Sequence, residues 1–182
     1  TNTQLPPPTI GIAVNPAVAT IPLNTDIQLH FAIANPNGVQ LHGLSFSEAL
    51  PAGEVVSSTP GVTSTCGGTF TAVSGASSVN LANGSLAANA SCDIFVSETG
   101  TTAGQKANIT GPVSSTETGA GDPSGTVSFS VVAPPTLSKG FSPSTIALNE
   151  TSTVTFTIAN PAANTVNATG IGFTDMLPSG MT

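Results

Sequence analysis

The chain has no tryptophan, no tyrosine and no arginine, and its basic residues are Lys106 and Lys139 alone. Without a basic patch it has nothing with which to displace counterions from phosphates, which excludes nucleic acid as a partner. Charged residues of both signs make up 6% of the 182 residues, against about 25% in a typical soluble domain. Disorder driven by charge is excluded as well, because 38% of the residues are apolar. No apolar run approaches the ~18 residues of a spanning helix, and no cationic leader precedes an apolar stretch. The two histidines, His30 and His42, stand without a clustered set of Asp or Glu. They read as surface imidazoles rather than metal ligands. No Gly-x-Ser-x-Gly elbow is present among the many serines. The expectation is therefore no catalytic residue, no metal and no cofactor.

Polarity is carried instead by 27 Thr and 21 Ser, punctuated by 19 Gly and 15 Pro. Threonine and the branched aliphatics suit a pleated, half-buried backbone, while Gly and Pro break it into short runs. A two-residue period recurs through Ile10, Ile12 and Val14, then Ile27, Leu29, Phe31 and Ile33, then Leu44 and Phe46. It continues through Cys92, Ile94 and Val96, then Ala107 and Ile109, then Val127, Phe129 and Val131. Thr69 to Val73 and Ser78 to Leu81 are weaker strands, and Asn83-Gly84 is a turn signal between Leu81 and Leu86. Seven to nine short strands without a helical stripe predict an all-β chain built of immunoglobulin-like β-sandwich repeats.

The chain also repeats itself. "FAIANP" at residues 31–36 returns as "FTIANP" at residues 156–161, and Leu50-Pro51-Ala52-Gly53 returns as Leu177-Pro178-Ser179-Gly180. Gly43 falls on Gly170 and Phe46 on Phe173, a period near 127. These matches predict an extended N-terminal segment at 1–8 and a complete sandwich repeat at 9–132. A Pro-rich linker at 133–135 and the first part of a second repeat at 136–182 follow. A Pro-Pro step makes such a linker stiff.

"SPSTIALNETSTVTFTIANP", "GFTDMLPSGM", "STCGGTF" and "SLAANASC" resemble the Thr-rich conserved repeat domain of large bacterial surface and secreted proteins. The resemblance covers the first repeat almost entirely and the opening of the second. It implies immunoglobulin-like sandwiches in long tandem arrays, without an assigned activity. The first repeat departs from the second at two positions. Ile12 stands where the second has Lys139, and Glu48 where it has Asp175.

Cys66 and Cys92 are the only cysteines, so a disulfide has one pairing open to it; two buried free thiols are the alternative. A bond would form a local staple at one end of the sandwich and would place the protein in an oxidising compartment, outside the cell or on its surface. Asn-x-Ser/Thr sequons stand at Asn83, Asn89, Asn108, Asn149 and Asn167, acceptors only in a source that glycosylates them. Lys139 and Asp175 could supply two of the three parts of an isopeptide cross-link, although an ordinary surface lysine is the simpler reading. The function expected is a rigid structural repeat of an extracellular stalk or fibre. Its partners would be neighbouring repeats or other copies of itself, with the incomplete repeat finished by chain continuation or by strand addition from a neighbour. An adhesin module binding glycan or protein through its loops is the alternative, disfavoured by the missing aromatic anchors.

Overall fold

The computed structural model describes residues 4–181, so the outermost ends of the predicted N-terminal segment and second repeat lie outside it. Fifteen strands follow one another among the described residues, and no helix does. They are β1 (Thr9–Asn15), β2 (Thr20–Pro22), β3 (Asp26–Ala34), β4 (Leu41–Ala49), β5 (Glu54–Val56), β6 (Thr63–Ser64) and β7 (Thr69–Thr71). Next come β8 (Ser78–Leu86), β9 (Ser91–Gly100), β10 (Gly104–Asn108), β11 (Ser114–Ser115), β12 (Gly119–Ala120) and β13 (Val127–Val132). β14 (Thr136–Ser142) and β15 (Thr153–Ala159) close the series.

Two sheets make the sandwich. One runs β1-β3-β9-β5, with β6 also on β9; the other runs β12-β11-β4-β8-β7. A smaller sheet, β10-β13-β2, closes the side, with β13 and β2 parallel. The alternating strands decide the geometry, because successive side chains point to opposite faces. Along β3, Ile27, Leu29, Phe31 and Ile33 are buried while their neighbours are not. They meet Leu44 and Phe46 of β4 and Val79 and Leu81 of β8 in one core. The Phe31 and Phe46 rings lie 5.2 Å apart at 50°, and Phe70 of β7 stands 6.1 Å from Phe31. Tilted aromatic contacts of this kind tie one sheet to the other. The architecture is an all-β, immunoglobulin-like sandwich.

Two local expectations fail. Asn83-Gly84 is not a hairpin turn: β8 passes straight through it. The pair is a bulge, with Asn83 at φ 56° and the β4–β8 register slipping around Leu44. Gly84 suits the close packing there, since a Cβ would stand 3.1 Å from both the Cys66 carbonyl and Leu44 Cβ, tighter than ordinary contact. In β10 the predicted faces are exchanged. Ala107 and Ile109 point to solvent, while Lys106 and Asn108 are buried. Their interior is polar, for the reason given below.

Beyond the sandwich, β14 and β15 form a two-stranded ribbon. Its register runs from Thr136↔Ala159 through Lys139↔Phe156 to Ser142↔Thr153. The β1–β3 register runs from Thr9↔Ala34 through Ile12↔Phe31 to Asn15↔Gln28, seven pairs in each case. Phe156 packs on Phe173 at 4.9 Å, much as Phe31 packs on Phe46.

Candidate functional site

Cys66 and Cys92 are joined in the structure, with 26 residues of separation. The bond sits where the chain changes sheets. β6 lies against β9, β7 lies against β8, and Cys66 is between them. The Thr65 amide donates to the Asp93 carbonyl at 2.9 Å, and the Ser85 amide donates to the Cys66 carbonyl at 2.9 Å. Gly68, at φ 65°, is forced by proximity: a Cβ there would stand 2.4 Å from the Ala82 carbonyl. The staple therefore pins a crossing between sheets, with both sulfurs in the core.

At another place in the same sandwich, polar groups displace the apolar core. Glu48 of β4, Glu54 of β5 and Glu98 of β9 are at most 1% exposed. Lys106 and Asn108 of β10 are buried beside them. The Asn108 amide donates to Glu54 Oε2 at 3.1 Å. The Lys106 ammonium donates to the Ala52 carbonyl at 2.8 Å and to the Thr102 hydroxyl at 3.0 Å. Its charge also favours the ionised form of Glu54. Neither oxygen of Glu48 or of Glu98 receives a hydrogen bond, and Asn108 Oδ1 receives none either.

Unsolvated carboxylates are costly, so burial raises all three glutamates. Glu48 is pushed up to about 8, by burial first and by the Glu54 charge second. Glu98 is pushed up to about 11, by burial first and then by the neighbouring Glu54 and Glu48 charges. Glu54 is raised by burial against the opposing pull of Glu98, Asn108 and Lys106. The set is three buried carboxyl groups, each driven towards its neutral form. Among the described residues no group of three or more His, Cys, Asp or Glu is disposed to hold a metal ion.

Sequence reasoning missed this cluster and placed no acidic group together. A signal was present. Glu48 continues the inward register Leu44-Phe46, and Glu98 continues Cys92-Ile94-Val96. An acid on a core register is the mark of a buried carboxyl.

The other singled-out residues fall as follows. His30 is not simply solvated: its Nε2 lies 2.7 Å from Asp93 Oδ1, and its ring stacks on Phe95 at 4.3 Å. His42 is exposed, and its ring and backbone amide both meet Glu117. Asn83, Asn89, Asn149 and Asn167 are exposed. Asn108 is not an acceptor for a glycan in the folded chain, being fully buried with its amide on Glu54. The Lys139 ammonium and the Asp175 carboxylate form an ion pair at 2.7 Å, and the ammonium lies 5.1 Å from the Phe141 ring centroid. Asn164 clamps the linker: its amide donates to the Ala133 carbonyl at 2.8 Å, and its carbonyl accepts from the Ala133 amide at 2.8 Å. A cleft of about 720 Å³ lies at this junction, between Ile21, Val132 and Pro134 on one side and Val166 and Ile171 on the other. Among the described residues no helix is long and apolar enough to cross a membrane.

These features define an immunoglobulin-like sandwich domain with an internal carboxyl cluster. Residues 8–128 and 135–182 match the family described as "Domain of unknown function (DUF7933)", and the chain belongs to that family. No curated protein matches it. Among solved structures it is similar to a non-cellulosomal cohesin from the archaeon Archaeoglobus fulgidus. The identity is 13%, covering 68% of this chain and 91% of the cohesin, with a TM-score of 0.47. It is also similar to the major pilin subunit of Bacillus cereus, at 13% identity and TM-score 0.48, covering 71% and 41% of the two chains. A collagen-binding domain from a Staphylococcus aureus adhesin matches at 11% identity and TM-score 0.44, covering 67% of this chain and 95% of that one.

Proposed function

We propose that this chain is a structural segment of an extracellular surface protein, a stapled sandwich repeat that serves as a rigid spacer in a stalk or fibre. The observation that carries the reading is the equality of the two ribbon registers. β14–β15 repeats β1–β3 pair for pair, with Phe156 at the place of Phe31. On this reading residues 9–132 are one repeat, 133–135 a stiff linker and 136–182 the opening of another. The Cys66–Cys92 bond of the mature protein belongs to an oxidising compartment.

The apolar face of the second unit supports this reading. Leu137, Phe141, Ile158, Ile171 and Phe173 are each 39–50% exposed, whereas Ile10, Val14, Ile33, Leu44 and Phe46, their counterparts in the first unit, are at most 9% exposed. A ribbon of this size buries too little surface to stand alone, and its free edge accepts a further strand. Two sources would supply it, a strand of the same chain or one of a neighbouring copy, and the second would make a fibre.

Spin labels on Val39→Cys and Leu148→Cys test the spacer, because the native cysteines are already paired. A narrow distance distribution that broadens in Asn164→Ala with Pro134 and Pro135 changed to Gly is the expected result. A broad distribution in the parent refutes rigidity. Sedimentation over a hundredfold concentration range separates the modes of completion: growth into oligomers identifies the neighbour, and a single small species excludes it.

A further inference from the structure

The carboxyl cluster lies under the shortest of the strands that contribute to it. β5 is a three-residue edge strand, paired to the end of β9 from Glu54↔Gly100 to Val56↔Glu98. Three carboxyl groups from β4, β5 and β9 are buried here with one ammonium, that of Lys106 from β10, whose charge favours ionisation of Glu54 alone. Fully ionised, the site would hold three negative charges against one positive. Asp26 is the other charged group nearby. It is exposed at the rim and is occupied by the Ser57 and Thr99 hydroxyls. The neighbouring elements add only Val79 of β8, opposite Glu48, and Val131 of β13, against Gly100.

We propose that Glu48, Glu54 and Glu98 are a proton-operated latch, holding β5 on β9 while the cluster keeps its protons and releasing β5 when they leave. With protons in place, Glu98 is neutral beside Glu54, which takes the Asn108 amide and feels the Lys106 charge. Glu48 stays neutral. Loss of either acid proton puts an unbalanced charge where no donor can reach it, and charge repulsion acts between strands. Of the strands that carry the cluster, the one that yields is the shortest, β5. The bonds holding β5 and its flanks include Ser57 amide to Ser97 carbonyl at 2.9 Å and Thr101 amide to Gly53 carbonyl at 2.8 Å. Release bares the outer edge of β9, so the same protons that close the domain also keep a strand-accepting edge covered.

The sign follows from the raised acids. Closure is complete below the ordinary glutamate range and is lost as pH rises towards and beyond the Glu48 value of about 8. Hydrogen exchange on the 182-residue chain, corrected for intrinsic rates, tests it. Between pH 7 and pH 9.5 protection at Ser57 and Thr101 should fall by at least about 10-fold, the factor for the one pH unit that separates pH 7 from the Glu48 value of about 8, above which that group adds no further loss. Protection at Leu29 and Ile94 should hold. Glu48→Gln with Glu98→Gln, or Glu48→Gln alone where the pair does not fold, should flatten the change. Carbon-13 side-chain spectra of the parent give a readout that needs no variant: the Glu48 and Glu98 carboxyl signals should titrate above pH 7. Titration near pH 4.5, unchanged protection, or an equal loss of protection throughout the sandwich each overturns the latch. So does calcium at pH 7 if it protects Ser57 and Thr101, because the site would then be a cation site.

Discussion

Replacing both Cys66 and Cys92 by alanine removes the staple while leaving the crossing it pins. With the cysteines 26 positions apart, loop closure assigns the bond about 3.5 kcal/mol through the unfolded chain. The lost sulfur packing adds roughly 1 kcal/mol, since both side chains are buried but alanine keeps each Cβ. The Thr65–Asp93 and Ser85–Cys66 backbone bonds remain, so the native crossing stays shut and the loss falls mainly on the unfolded side. A unit of this length should hold about 6 to 18 kcal/mol in total, so the variant still folds at room temperature. The chain has no Trp or Tyr, so urea unfolding is followed by circular dichroism rather than fluorescence. At a slope of about 2 kcal/mol per molar urea, the midpoint should drop by roughly 2 M. A midpoint within 0.3 M of the parent, or a parent midpoint unmoved by reductant under unfolding conditions, would refute the assignment.

Glu48→Gln should raise stability by about 3 kcal/mol at pH 7 and leave it unchanged at pH 4, because the parent loses that amount as pH climbs from the unfolded value of about 4.5 towards 8; parallel stability–pH curves for the two proteins count against it. Gly68→Ala should cost about 3 kcal/mol, since its Cβ would strike the Ala82 carbonyl, whereas Gly75→Ala, at φ 77° with open space around it, should cost about 1 kcal/mol; equal losses in urea melts would remove the contact as the cause. Leu29→Ala, at the fully buried centre of β3, should cost about 2 to 5 kcal/mol by the same assay.

Strands whose core face is purely aliphatic or aromatic were plain in the sequence, as β3 and the Cys92–Val96 run of β9 illustrate. There the two-residue period and the burial period coincide. β10 was read on the wrong face because its inward neighbours are carboxyls, so Lys106 and Asn108 turn in and Ile109 turns out. Hydrophobicity alone inverts such a strand. Asn83-Gly84 carries the chemistry of a hairpin turn, yet the close approach of the Cys66 carbonyl and Leu44 uses the glycine for a bulge instead. The cluster itself joins residues fifty positions apart on separate strands. It becomes visible only once Glu48 and Glu98 are noticed on registers that should be apolar.

The two units treat one acidic position differently, and that difference can be tested directly. Glu48 aligns with Asp175, and Ile12 aligns with Lys139, each opposite its phenylalanine in the ribbon register. In the second unit the acid meets an ammonium 2.7 Å away that also lies over Phe141 and Phe156. In the first unit no cation reaches Glu48, so a proton neutralises it instead. Ile12→Lys should therefore carry the second unit's solution into the first. A half-buried isoleucine is lost, at about 1 to 2 kcal/mol, but its ammonium should favour the charged form of Glu48. The carbon-13 signal of Glu48 should then titrate well below 8, and the variant should lose less stability than its parent between pH 5 and pH 8. An unmoved Glu48 titration in a folded variant would show that the two ribbons, for all their equal register, do not present these positions to the same neighbour.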